Sequence, residues 1–198
     1  MRRFLGRQHD GEHMLPALLI PGVATLDIAV TGSAMPFPWA HEINLLAFAV
    51  GSVIAGVLVV LIFGRLRHEV SLPLAMRPSL LILIAPFSVG FLAYTNLTGR
   101  IDMFASSLFY FALFLLLVLV PKILCARIPF SVHWWAIGFP LAAMSLASFR
   151  YASAVASPAL QVFATGLFAC LAGAIAILSA RTLFIIASGR LFRLTSVT

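Results

Sequence analysis

Six apolar stretches, each about as long as a membrane-crossing helix, occupy most of this 198-residue chain, and every second one is broken near its middle by a proline. These prolines are Pro21, Pro86 and Pro140, the last of which directly follows Phe139. A proline lacks the N–H that a helical carbonyl would accept, and lipid offers that carbonyl no substitute donor. We therefore expect the three proline-containing helices to face a protein interior or an aqueous path, and the three smooth helices to face lipid.

Composition places the chain among membrane proteins. It is 62% hydrophobic and 10% charged, whereas about 25% of residues are charged in a typical soluble domain. A helix needs about 20 apolar residues to cross a hydrocarbon core of about 30 Å. The sequence predicts an all-α, polytopic bundle of three hairpins, in which proline-kinked inner helices alternate with lipid-facing outer helices. Between an amino-terminal segment, 1–13, and a carboxy-terminal tail, 181–198, the predicted spans lie near residues 14–33, 43–63, 79–97, 102–121, 132–152 and 158–180.

The basic residues predict the orientation of the bundle. Eleven of the 13 Lys and Arg residues fall in segment 1–13, in the connections after the second and fourth spans, or in tail 181–198. Only Arg100 and Arg150 fall on the opposite side. Because positively charged loops stay in the cytoplasm, both termini are expected there. These charges are scattered over four short segments, which argues against nucleic acid as a partner.

Little in the sequence points to catalysis. The five histidines fall in loops or at span ends, which disfavours haem ligation inside the bundle. The segment His9–His13 has a metal-like composition, but chance is the preferred explanation because the segment is short and lacks a rigid context. The sequence also lacks a phosphate loop, a nucleophile elbow and a zinc motif. We expect neither an enzyme nor a cofactor or metal site.

Polar side chains within the proline-containing spans are candidates for lining a pore. The small residues around them would also permit close helix packing, and the sequence leaves both interpretations open. Asp27 is an acid inside a span and would repel an anion, so a structural role is preferred for it. Arg150, near the outer end of its span, either attracts anions at a pore mouth or snorkels to the interface. The candidates are Asp27, Pro86, Ser88, Pro140, Ser145, Ser148 and Arg150.

Three segments of the chain resemble the tellurite-resistance/dicarboxylate transporter family, which includes the slow anion channels of plant guard cells. The stretch 133–152 carries a tryptophan pair, a Phe-Pro, small residues and an Arg-Tyr ending, and is similar to the penultimate span of that family. Residues 78–94 and 15–32 resemble the two inner helices that precede it. The resemblance covers nearly the whole chain in the correct order.

The resemblance implies a ring of helical hairpins around a central pore, which a phenylalanine closes; here that residue is Phe139. Members have ten spans and typically form trimers, and the six spans of this chain match the last six. The resemblance also implies a bacterial inner membrane and small anions of the dicarboxylate, tellurite, sulphite or halide type. Since three of five inner helices cannot close the ring, we expect a truncated product, a separately encoded amino-terminal half, or self-association.

Two hypotheses about function follow. In the first, a small anion moves along the groove between the first, third and fifth spans, past Phe139 as the gate. The hydroxyl groups of Ser88, Ser145 and Ser148 would then donate hydrogen bonds to the anion, and Arg150 would make the outer mouth positive. In the second, the chain is a non-transporting membrane interaction protein or remnant that needs a missing half, and its prolines and small residues serve only helix packing.

Overall fold

The structure, a computed structural model, describes residues 16–32, 34–67, 73–126 and 128–188 of the chain. All regular elements within these ranges are helical, so the predicted all-α fold is confirmed. Segment 1–13, with the histidines at its end, lies outside the described residues, as does the tail beyond residue 188. The α-helices are α1 (Ile20–Gly32), α2 (Ala40–Arg67), α3 (Ala85–Thr98), α4 (Met103–Cys125), α5 (Gly138–Val155) and α6 (Pro158–Ala187).

Five helical segments of the described chain are long and apolar enough to cross a membrane. Two of them are α3 and α5 taken together with the 3-10 segments that precede them, Leu74–Thr98 and Val132–Val155. A sixth apolar segment, Pro16–Gly32, is shorter, and its 17 residues would cover about 25 Å at the helical rise per residue. The chain is therefore a multi-pass integral membrane protein.

Each proline-containing span changes its helical geometry close to its proline. Pro21 and Pro86 are the second residues of α1 and α3, and Pro140 is the third residue of α5. The first turn of an α-helix has no internal acceptors for its N–H groups, so a proline there removes no hydrogen bond. These prolines lie where a 3-10 segment ends and the α-helix begins, so the interruption of each inner span is a change of helical geometry at its proline. The 3-10 segments are Pro16–Leu19, Leu74–Ile84 and Val132–Ile137.

The inner and outer helices differ in how deeply they are buried. In the most apolar part of Leu74–Thr98, 72% of the residues are buried inside the protein, against 28% in α4 and 17% in α6. Each outer helix extends beyond its predicted membrane span, and α2 does so at both ends. α4 continues through Pro121 to Cys125, and α6 continues through Arg181 to Ala187.

Close backbone packing joins α1 to α2. A Cβ atom added to Gly51 of α2 would lie 2.9 Å from the backbone nitrogen of Leu26 and 3.0 Å from the carbonyl oxygen of Gly22. A Cβ atom added to Gly22 would lie 3.0 Å from the backbone nitrogen of Ala55. Here the small residues serve helix packing, one of the two roles that the sequence leaves open.

The three inner helices form an arc with α3 in the middle. Both α1 and α5 pack against α3, while α2 packs behind α1 and α3, α4 behind α3, and α6 behind α5. This arrangement brings the proline-containing starts of α1, α3 and α5 together on the inner side of the arc.

Candidate functional site

A cavity of about 240 Å³ lies on the inner side of the arc, where the three 3-10 segments become α-helices. Each inner span contributes one alanine to its wall: Ala24 of α1, Ala85 of α3, and Ala136 of the 3-10 segment before α5. Short side chains at these positions leave space that larger ones would fill. The remaining lining residues are Ile20, Val23, Asp27, Ile82, Trp135, Phe139 and Pro140.

The side chain of Phe139 lies at this cavity and is not part of the packed core. It is 47% exposed, whereas Phe91 and Phe109 are 0% and 1% exposed. Beside it, a Cβ atom added to Gly138 would meet nothing within 4 Å. The ring therefore borders the cavity, and the neighbouring position in the chain is open as well. An aromatic ring in an apolar constriction can obstruct ions, because ions do not enter a dewetted passage.

Asp27 contributes the ionisable group of the cavity wall. It is half-buried, and the other residues that line the cavity are apolar. Within the described ranges, the structure places no cationic side chain at ion-pair distance from its carboxylate. The nearby hydroxyl of Thr31 donates a hydrogen bond to the backbone oxygen of Asp27 at 3.0 Å, and the side chain of Asp27 lines the cavity.

The three candidate serines lie away from this cavity. Ser88, Ser145 and Ser148 are 0%, 2% and 1% exposed. Each hydroxyl donates to a carbonyl one turn earlier in its own helix, at 3.1 Å to Ile84, 2.7 Å to Leu141 and 2.7 Å to Met144. A hydroxyl group that is buried and already donating has no hydrogen to offer a passing anion. The structure therefore brings together Asp27, Phe139 and Pro140, but not the serines.

Two further candidates occupy other positions. Pro86 is buried next to the lining residue Ala85. Arg150 lies near the carboxy-terminal end of α5, where it lines a separate, polar hollow of about 600 Å³ together with Arg100. Its guanidinium group donates a hydrogen bond to the side-chain oxygen of Asn96 in α3. Arg150 thus has a partner inside the protein and is remote from Phe139.

Two residues that shape this region are not among the site residues predicted from the sequence. Trp135 lines the cavity, and its indole N–H donates to the hydroxyl of Thr182 in α6 at 3.1 Å. Asn96 bridges α1, α3 and α5. A signal for its contact with Arg150 was present, because Asn96 follows Pro86 by ten residues and Arg150 follows Pro140 by ten residues. Pro86 and Pro140 both lie in the first turn of their helices, which start at the same cavity. Side chains ten residues further along are therefore expected at the same height in the bundle.

The protein has membrane-spanning hairpins, an arc of inner helices that begin at prolines, and an apolar cavity that an aromatic side chain borders. These features define a class of protein, the polytopic helical membrane protein with a channel-like core. The sequence profile of one family in this class, SLAC1, described as voltage-dependent anion channel, matches residues 1–183. The chain belongs to this family, which confirms the resemblance predicted from its three segments. The family consists of channels and transporters rather than enzymes.

Individual relatives support the same assignment. The chain is 32% identical over 146 residues to the S-type anion channel SLAH1 of Arabidopsis thaliana, which covers 72% of this chain and 37% of that protein. It is 33% identical over 143 residues to SLAH4, covering 71% and 38%, and 33% identical over 115 residues to the guard cell channel SLAC1, covering 58% and 21%. The matched region thus spans less than two fifths of the length of these relatives.

Proposed function

We propose that this chain forms part of the wall of a pore that conducts small anions, with Phe139 as its gate. The observation that carries the proposal is the meeting of three proline-started helices around a cavity of about 240 Å³, at which Phe139 remains 47% exposed. In a tightly packed protein, a large aromatic side chain that is left partly uncovered beside a cavity has room to change its rotamer. Movement of this one ring would open or close the passage.

An anion is the proposed substrate because the relatives are described as anion channels. The net charge of +7 also favours the approach of anions. The candidates are halide, sulphite, tellurite and dicarboxylate ions, as in the C4-dicarboxylate and tellurite-resistance branches of the family. Asp27 opposes anions, so we assign it the role of limiting their passage. The buried serines are assigned to helix packing, and Pro140 to the cavity wall.

The arc of α1, α3 and α5 forms only one side of a passage. We propose that further copies of the chain, in a homo-oligomer such as a trimer, or a separately encoded amino-terminal half complete the wall. We also propose that the protein resides in a bacterial inner membrane with both termini in the cytoplasm, because eleven of its 13 basic residues fall on that side.

Flux measurements on purified protein in liposomes test the gate. We expect Phe139→Ala to raise the anion flux about tenfold or more, which corresponds to a barrier lowered by ~1.4 kcal/mol. Phe149→Ala is the matched control, since Phe149 is also in α5 and exposed but makes an edge-to-face contact with Phe168 of α6, outside the cavity. Chloride, sulphite, tellurite and malate, compared in parallel, identify the anion.

Two outcomes would contradict the proposal. A folded Phe139→Ala variant with the flux of a conducting wild type would remove Phe139 as the gate. If neither protein conducts, alone or together with a co-expressed amino-terminal half, the chain is a membrane interaction protein, as the second hypothesis from the sequence holds.

A further inference from the structure

A second cavity, of about 360 Å³, lies on the outer side of the bundle between α4, α6 and the start of α5. Every side chain that lines it is apolar, including those of Leu117, Trp134, Leu141, Cys170 and Ala174. The polar atom of Trp134 is directed elsewhere, because its indole N–H donates to the carbonyl of Pro129 at 3.1 Å. The cavity therefore presents only hydrocarbon and sulfur to an occupant. We refer to it below as the outer groove.

Water is a poor occupant for the outer groove. An apolar cavity of ~150 Å³ stays dry and is already large enough to bind benzene, and this one is more than twice that size. The outer groove also lies between α4 and α6. Of the five membrane-spanning segments in the described chain, these two have the smallest share of buried residues. The medium around these helices in a membrane is the acyl chains of lipids, which match the chemistry of the groove.

Positive charge lies near one end of the outer groove. Arg181 of α6 follows Ala174 by seven residues, a distance of about 10 Å along the helix. Its guanidinium carbon lies 5.7 Å from the ring centroid of Phe130. This cation–π contact holds the guanidinium group next to the groove while leaving it exposed.

We propose that the outer groove is a binding site for one acyl chain of an anionic phospholipid, whose phosphate is bound by Arg181. The apolar cavity accounts for the acyl chain, and the guanidinium group accounts for the preference for a negative headgroup. Such a lipid contacts the back of the segment that carries the proposed gate. Trp134 and Ile137 face the outer groove, whereas Trp135 and Ala136, between them in the sequence, face the cavity of Phe139.

Lipid retention by the full chain tests the site without any measurement of flux. Purified protein is equilibrated with phosphatidylglycerol in detergent, and the bound lipid is counted by native mass spectrometry. Ala174→Phe fills the outer groove, and we expect about tenfold weaker lipid binding, the loss that follows when roughly two methylenes are no longer buried. Ala176→Phe is the matched control, because Ala176 is an exposed residue of the same helix outside the groove.

The headgroup is tested by removing charge at either end of the bundle. Arg181→Gln is expected to reduce the preference for phosphatidylglycerol over phosphatidylcholine several-fold. Arg100→Gln removes an equally exposed charge at the opposite end and should leave the preference unchanged. Equal lipid binding by Ala174→Phe and Ala176→Phe would overturn the proposal. A change of oligomeric state in Ala174→Phe alone would also overturn it, since the groove would then be an interface between copies of the chain.

Discussion

Arg150 of α5 donates a hydrogen bond to the side-chain oxygen of Asn96 in α3. The same amide group donates its own N–H to the carbonyl of Val30 in α1 at 2.6 Å. One asparagine side chain thus connects all three inner helices near their carboxy-terminal ends. It also provides a partner for a cation that would otherwise be costly at this depth of the membrane. We expect the spacing of the inner helices, and with it the width of the proposed pore, to depend on this contact.

We predict that Asn96 and Arg150 are energetically coupled. Interhelical hydrogen bonds in membrane proteins contribute ~0.6 kcal/mol on average and up to ~1.7 kcal/mol. Because one partner is charged, we expect a coupling energy of about 1 kcal/mol in a double-mutant cycle of Asn96→Ala and Arg150→Ala, measured by unfolding in detergent. Thr98→Ala is the control, since this hydroxyl bonds to the carbonyl of Tyr94 in its own helix. Strictly additive effects of the two substitutions would show that the contact does not stabilise the fold.

The packing of α1 on α2 should tolerate no side chain at Gly51. The Cβ atom of alanine would lie 2.9 Å from a backbone atom of α1, which cannot rotate away. We expect Gly51→Ala to lower the free energy of unfolding by about 1–3 kcal/mol. Gly56→Ala in the same helix meets nothing within 4 Å, and should be neutral or stabilising by up to ~1 kcal/mol. Similar unfolding curves for the two variants would contradict this account of the interface.

Replacing Asp27 should increase anion flux. A sphere with the volume of the cavity is about 8 Å across, and at that distance two like charges repel by ~2 kcal/mol at an effective dielectric constant of ~20. In a Phe139→Ala background, Asp27→Asn is therefore expected to raise the flux by up to about 30-fold at low salt, and by less as salt screens the charge. Asp27→Glu, which keeps the charge, should leave the flux close to that of the background. Unchanged or lower flux in Asp27→Asn would exclude a carboxylate that limits anion passage.

Acid should destabilise the α3–α4 hairpin through Asp102. This carboxylate accepts hydrogen bonds from the backbone N–H of Ala105 at 3.0 Å and from the hydroxyl of Tyr94 at 2.5 Å. The bond from Ala105 has the larger effect and the bond from Tyr94 adds to it. Together they hold the pKa of the Asp102 carboxyl below its usual range. A carboxyl group with a lowered pKa in the folded state contributes stability above its unfolded pKa of about 4, and loses it as the pH falls through the folded pKa.

We therefore expect the unfolding temperature to fall as the pH drops below about 4, and to fall less steeply in Asp102→Asn. Arg100→Gln should change this profile little, because the Arg100–Asp102 pair is exposed and its atoms are 3.8 Å apart. An unchanged pH profile in Asp102→Asn would show that the cap does not contribute.

Sequence reasoning succeeded where the property is local. The positions of Pro21, Pro86 and Pro140 identified the inner helices, because a proline restricts its own backbone wherever it occurs. The helices themselves continue beyond the predicted spans: α4 passes through Pro121 to Cys125, and α6 extends to Ala187.

The faces of the inner helices could not be assigned from the sequence in the same way. Ser145 and Phe139 lie on one helix and both were candidates for the pore, yet Ser145 is buried in the packed core and Phe139 borders a cavity. The difference depends on how α5 is rotated against α3 and α6. That rotation is decided by the sum of many side-chain contacts with distant segments, and no short motif encodes it.

By itself the sequence determined that the chain is a helical membrane protein of several spans and which of those spans are interrupted. Both follow from the length of the apolar segments and from the need to pair every backbone group in lipid. Only the tertiary structure decided that Asp27 and Phe139 share one cavity, that the serines donate within their own helices, and that Asn96 links three helices. These contacts join residues far apart in the chain, and they exist only once the helices have packed at a particular distance and rotation.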